Sequence, residues 1–196
     1  MNIKRVIVVT GTPGVGKSTV AGELASRIKA NLVSIGDLVR REKLYVGTDR
    51  KRGTLVADAR RLSDRVKKEF QCSDSDTVVE GHYAVDLVPP ENVHLIFVLR
   101  RDPKELRKVL QSRGYSEQKA RENLAAEILD VCLYDAIKCC GASKTCEVDV
   151  SGKKRKDVVN EMLRILEGKS DCHIGLVDWL GKLELTGELD EYLKDF

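Results

Sequence analysis

Residues 5–19 read Arg5-Val-Ile-Val-Val-Thr-Gly-Thr-Pro-Gly-Val-Gly-Lys-Ser-Thr19, and the fold follows from how this stretch changes character along its length. The β-branched run over residues 5–10 has the composition of a strand buried on both faces. Glycines at 11, 14 and 16 break it, and from residue 17 to 28 the apolar positions Val20, Leu24 and Ile28 return at helical spacing. A strand, a glycine-rich turn and a helix together satisfy the phosphate-loop template Gly-x-x-x-x-Gly-Lys-Ser. The glycines allow the tight turn, and backbone N–H groups over Thr12, Gly14, Val15 and Gly16 then face a polyphosphate at the positive end of the helix dipole. Lys17 is placed to reach the outer phosphate oxygens, with Thr19 beside it, and the Ser18 hydroxyl is placed to ligate Mg²⁺.

Working outward, short β-branched runs alternate with longer helix-period stretches. Strands are expected at residues 5–10, 31–34, 77–80, 94–99 and 145–150, which makes an α/β domain of three layers with a five-stranded parallel sheet and helices on both faces. Residues 36–70 exceed an ordinary crossover and carry a predicted helix over 53–70, so they are expected to stand out as an insert. Asp102 and Pro103 open a helix ending near Arg113, and a second long helix is expected from about 117 to 138. A further helix ends near Gly168. The remaining residues, 169–196, form an amphipathic extension; packing of Trp179, Leu180, Leu183 and Leu185 on the core is favoured over a docking surface for a basic partner. The expected division is a domain over 1–168 and the extension.

Length and composition narrow the class. At 196 residues, 42% hydrophobic and 33% charged, the chain is long enough for one core and too apolar for disorder. No apolar run approaches the roughly 18–20 residues of a membrane span, so a cytoplasmic protein with no membrane partner is expected. Its six cysteines, at 72, 132, 139, 140, 146 and 172, lack C-x-x-C spacing and are expected as reduced thiols.

Three further features suit phosphoryl transfer. Glu80 stands where an apolar strand stops, as a carboxylate holding metal-bound water does, and His82 follows as a group to orient water or contact phosphate. Between residues 100 and 121, eight basic residues (Arg100, Arg101, Lys104, Arg107, Lys108, Arg113, Lys119, Arg121) face three acids, a local charge of +5, and Arg113 lies at a turn from which it can swing over a nucleotide as part of a lid. Residues 36–68 carry eleven basic residues against five acids, a charge of +6 that suits a second anionic substrate or an RNA backbone. The extension is acidic: seven acids against Lys169, Lys182 and Lys194 give −4. The mild total of +3 is therefore an average over unlike parts.

Taken together, Gly11 to Thr19, Ser34-Ile-Gly-Asp-Leu38, Arg40 to Gly47, Glu80-Gly-His82, Val98-Leu-Arg100, Arg113-Gly-Tyr115 and Asn123 resemble the adenylate kinase isoenzyme six family, also called the Fap-seven type of ribosome-assembly nucleotide kinase, over residues 3–166. The resemblance implies a P-loop nucleoside monophosphate kinase fold with a monophosphate-binding insert (about 36–70) and a short lid (about 100–121). It also implies transfer of a phosphoryl group from ATP to AMP with Mg²⁺, ATP hydrolysis, and a part in small-subunit maturation through a ribosomal protein of the platform and pre-ribosomal RNA. By position, Lys17, Glu80, His82 and Arg113 would be catalytic, Asp37 and Arg40 would line the AMP site, and Ser18 and Glu80 would hold the metal, Glu80 through water. Glu80 replaces the Asp usual in eukaryotic members. Two other readings stay open: an assembly ATPase with incidental AMP kinase activity, and a P-loop kinase of another small metabolite.

Overall fold

A computed structural model describes residues 4–50 and 53–193. Five parallel strands, β1 (Val6–Gly11), β2 (Asn31–Ser34), β5 (Thr77–Glu80), β6 (Val93–Arg100) and β7 (Thr145–Asp149), form one sheet in the order β2-β5-β1-β6-β7. The order places β1 in the middle, and every residue of it is buried, as a continuous β-branched run requires. Strand alternation sends Ile7 and Val9 to one face with Phe97 and Leu99, and Val6 and Val8 to the other with Ile96 and Val98. Helices α1 (Lys17–Ile28), α5 (Pro103–Ser112), α6 (Glu117–Ile128) and α8 (Arg155–Leu166) cover the first face. The second is covered by α2 (Ile35–Arg41), α3 (Ala59–Gln71), α4 (Ala84–Leu87) and α7 (Val131–Cys140).

Four expectations are corrected. Residues 53–70 do not begin as a helix: β3 (Tyr45–Asp49) and β4 (Thr54–Ala57) pair as an antiparallel hairpin, and α3 starts only where the Asp58 side chain accepts from Arg61 N–H at 3.1 Å. Lys51 and Arg52, two of the basic residues counted in the insert, lie outside the described residues, as does Lys194 in the extension.

The long helix over 117–138 is two helices, α6 and α7, broken at Asp130, whose φ is 56°. The cause is Arg100. Its Nη2 donates to the Glu127 carbonyl at 2.9 Å, the group that a continuing helix would offer to residue 131. Arg100 is accordingly no lid residue. It is 1% exposed, with Nε on Glu127 Oε1 at 3.0 Å and the rest of the guanidinium on Glu147 and Asp130. Burial alone would lower its pKa; the three carboxylates outweigh that and hold it above the usual arginine value.

The fourth correction concerns the thiols. Cys146 in β7 and Cys172 are joined as a disulfide, their Cα atoms 5.1 Å apart, because residues 172–176 run along β7. Cys72, Cys132, Cys139 and Cys140 are free.

Beyond α8, the helices α9 (Trp179–Leu185) and α10 (Leu189–Leu193) lie on the α5/α6 side. Trp179 and Leu183, one helical turn apart, are buried in that layer with Tyr192, whereas Leu180 and Leu185 face outward. The acids of this segment meet the basic face of α5. Lys104 pairs with Glu188 at 2.8 Å, and Arg107 pairs with Glu191 while lying over the Tyr192 ring at 4.0 Å; in the opposite sense, Lys182 of the segment pairs with Asp102 at the start of α5 at 2.7 Å. No helix among the described residues is long and apolar enough to cross a membrane.

Candidate active site

The turn between β1 and α1 is built by its glycines. Gly14 has φ +100°, and a Cβ there would stand 2.8 Å from Leu106 Cδ1, so the loop packs directly on α5 with no room for a side chain. Val15 is 1% exposed; its side chain belongs to the core and its N–H donates to Thr12 O at 3.3 Å. Thr12 is wholly buried, its hydroxyl 3.9 Å from Cys132 Sγ. Ser18 and Thr19 are exposed on the first turn of α1, and Gly16, at φ 108°, caps the helix without a side chain that would block its N–H groups.

Lys17 folds back over this loop. Its Nζ donates to Gly11 O at 2.8 Å and Thr12 O at 3.0 Å, and the residue is 9% exposed. Burial pushes its pKa below the usual lysine value, with Arg113 in the same sense and the Glu80 and Glu127 carboxylates opposing. Pro13, Gly14, Gly16, Lys17, Ser18, Thr19, Arg113 and Tyr115 line one cavity of about 190 Å³. Arg113 reaches it from the C-terminal end of α5. Because Leu106 and Leu110 are wholly buried in the core, the cavity-facing part of the basic 100–121 segment is the turn at 113–116 and not the helix before it.

At the end of β5, Glu80 is 4% exposed and accepts a hydrogen bond from Ser34 Oγ at 2.6 Å, its register partner on β2. Next to it, a Cβ on Gly81 would meet Ile35 Cβ at 2.8 Å, so glycine is what lets α2 approach this strand end. His82 Nδ1 lies 3.3 Å from Gly11 O and 3.5 Å from Cys132 Sγ. A carbonyl only accepts, so this contact assigns the proton to Nδ1 and leaves Nε2 as an acceptor. Burial, reinforced by the Lys17 ammonium, pushes the imidazole below its ordinary pKa of 6.5 and keeps it neutral.

Asp37 and Arg40 lie elsewhere. Both are exposed and paired with each other at 2.6 Å. Asp37 lines a second cavity of about 330 Å³ along β2 with Asn31, Leu32, Val33, Ser34, Leu38, Arg41 and Glu69; Arg40 does not line it. Ser34 lines this second cavity and bonds Glu80, which itself lines neither cavity. Its position in the Ser34 to Leu38 block marks it, but only strand register reveals its partner. Cys132 carries no motif at all; it enters the site because the helix break at Asp130 sets α7 against the loop.

The oxygen donors fit a hard cation held largely by substrate. No group of three or more His, Cys, Asp or Glu among the described residues forms a metal cage, whereas the exposed Ser18 hydroxyl and the Glu80 carboxylate suit Mg²⁺ that keeps its phosphate and water ligands.

A family described as an AAA domain matches residues 7–130, from the first strand through the helix break. Over 177 residues the chain is 38% identical to a protein named "Putative adenylate kinase" from Methanothermobacter thermautotrophicus, covering 90% of this chain and 98% of that one. It is also 36% identical to proteins of the same name from Methanococcus maripaludis (89% and 95% covered) and Pyrococcus furiosus (96% and 97%). The chain belongs to this P-loop kinase family. Among solved structures, a gluconokinase from Sinorhizobium meliloti aligns with TM-score 0.55 at 18% identity, over 86% of this chain and 94% of that one. An uncharacterized protein from Eubacterium ventriosum gives 0.55 at 17%, over 84% of this chain and 99% of that one. At such identities the likeness concerns the fold, which is that of a P-loop kinase. The match to the Pyrococcus furiosus protein spans 96% of this chain and so extends past Leu166 into the C-terminal extension.

Proposed function

We propose that the protein is a nucleoside monophosphate kinase of the isoenzyme-six type, transferring the γ-phosphoryl group of ATP to AMP. The observation that carries this reading is the convergence of Lys17, Ser18, Thr19 and Arg113 on one cavity, with a second cavity lined by Ser34 and by the insert residues Asp37, Leu38, Arg41 and Glu69. In this reading residues 36–70 are the monophosphate-binding insert, with Asp37 and Arg40 turning onto the acceptor, and the 113–116 turn is the lid. Lys17 leaves the Gly11 and Thr12 carbonyls for the β and γ oxygens, and Arg113 balances charge on the moving phosphoryl group. Glu80, pinned by Ser34, holds a water on the metal side. Mg²⁺ bound with ATP supplies charge neutralisation across the phosphates.

A coupled assay over a panel of monophosphates tests the reading. AMP-dependent ADP formation is expected; no acceptor-dependent product, with ATP binding intact, overturns it.

The same machinery lends itself to ATP hydrolysis with water as acceptor, and the family resemblance connects that activity to small-subunit maturation in the cytoplasm. What supports a macromolecular partner, a platform protein or pre-ribosomal RNA, is the basic insert, where Val46, Leu55 and Val56 are exposed near Arg50, Arg60 and Arg61. Acceleration of ATP turnover by a basic ribosomal protein or RNA is the expected result.

For hydrolysis, neutral His82, with Nε2 as its acceptor nitrogen, is the base that orients and deprotonates water. His82→Ala is expected to lower ATP hydrolysis by about 10²-fold. Because the histidine pKa is depressed, the neutral form persists below pH 6.5, so the acid limb of the parent's rate profile falls below that value and is absent from the variant. A variant that spares both hydrolysis and transfer removes His82 from the mechanism.

A further inference from the structure

The C-terminal extension is fastened to the sheet at one covalent point, and that point adjoins the buried cluster behind the phosphate loop. β7 is an edge strand, and residues 172–176 lie along it. Cys172 is bonded to Cys146, Glu147 N–H donates to His173 O at 2.8 Å, and Leu176 N–H donates to Glu147 Oε2 at 2.6 Å. The other Glu147 oxygen receives Arg100. Arg100 in turn holds Glu127, which also accepts from Trp179 Nε1 at 3.3 Å, and Asp130, the residue at the helix break two positions before Cys132. Cys132 meets His82 and Thr12. Contacts and one short step along the chain therefore run from the disulfide to the buried residues behind the phosphate loop.

The two residues are unequally exposed. Cys146 is wholly buried, whereas Cys172 is an exposed residue. We propose that Cys146–Cys172 is a thiol–disulfide exchange site for a dithiol reductant, attacked at Cys172, and that opening it releases residues 169–178 from the Arg100 cluster and weakens nucleotide binding.

In the reaction, one thiolate of the dithiol attacks Cys172 Sγ. The bond to Cys146 breaks, its electron pair leaves with Cys146 Sγ, and that sulfur takes a proton from solvent. The second thiol of the reductant then attacks its own mixed-disulfide sulfur, freeing Cys172 as a thiol. The dithiol is oxidised to a cyclic disulfide and the protein gains two electrons and two protons. The extension stays docked in the opened form, because Trp179, Leu183 and Tyr192 remain buried and the ion pairs to Lys104 and Arg107 are untouched.

The test equilibrates the full chain at a series of dithiothreitol/oxidised dithiothreitol ratios, quenches with acid, alkylates and maps peptides. Thermal unfolding and the ATP Kd are measured on the same samples before the quench. Expected at the oxidising end is the Cys146–Cys172 cross-linked peptide; at the reducing end both cysteines alkylate, Tm falls by roughly 5–10 °C and Kd rises about threefold or more. Cys172→Ser is expected to behave as the reduced form at every ratio, and Cys72→Ser to respond as the parent does. Alkylation of both cysteines at every ratio overturns the exchange site; an opened bond with Kd unchanged overturns the coupling. The Kd readout rests on ATP binding, not on the acceptor. The peptide map and Tm decide the exchange site even if the kinase reading fails.

Discussion

Lys17→Ala is expected to abolish phosphoryl transfer and ATP hydrolysis together, by roughly 10³-fold or more in kcat, while leaving a folded protein. The loss follows from charge. Lys17 is the cation that the phosphate loop itself carries, held at the cavity on the Gly11 and Thr12 carbonyls, and Arg113 lines the same cavity from an exposed turn. The survival of the fold follows from burial. A largely buried ammonium is expensive to keep, and its replacement by alanine removes that cost while giving up two hydrogen bonds to carbonyls. Thermal unfolding within a few degrees of the parent, alongside turnover at background, is the expected pair of measurements. Turnover within tenfold of the parent would remove Lys17 from the chemistry.

Arg100→Ala has the larger effect on stability, about 3–5 kcal/mol, because it strands carboxylates instead of removing a whole cluster. Glu127 and Glu147 are 2% and 1% exposed, and both are paired through the guanidinium. The same change frees the Glu127 carbonyl to accept within a continuous helix, so the break at Asp130 loses its cause. Arg100→Lys keeps the charge but cannot span three carboxylates with one ammonium, and it is expected to recover only part of the loss. Urea unfolding is the measurement: at an unchanged slope, the midpoint falls from the parent to Arg100→Lys and again to Arg100→Ala. Equal midpoints for the parent and Arg100→Ala would show that the cluster contributes nothing to the fold.

These two positions also mark how far the sequence is legible. Lys17 is readable because everything that gives it meaning is adjacent: the strand before it, the glycines around it and the helix after it. Arg100 looks like one more member of a basic segment, since its partners lie 27, 30 and 47 residues away. The hairpin of β3 and β4 was closer to view. Val46, Thr48, Thr54 and Val56 are β-branched at alternating positions on either side of Gly53, but the basic run of residues 50–52 in the sequence suggests a helix face more readily than a loop. Among site residues, Glu80 and His82 are marked by their place at a strand end, whereas Ser34 becomes the partner of Glu80 only through the β2–β5 register. Asp37 and Arg40, suggested by resemblance, sit apart from the nucleotide cavity and face one another.

What the amino-acid sequence determined by itself is what short-range physics can encode. Hydrophobic period separates strand from helix, glycine supplies the backbone conformations of the phosphate loop, and capping residues such as Asp102 start helices. The tertiary structure alone decided which charges are neutralised and which face a ligand. The acids of the C-terminal extension meet Lys104 and Arg107, three carboxylates enclose Arg100, and Arg113 is left at the cavity. It decided as well that two cysteines 26 residues apart meet at a sheet edge. A side chain's charge is local, but its partner is chosen by which elements the sheet order brings together. That choice depends on contacts between residues whose separation along the chain carries no periodic signal.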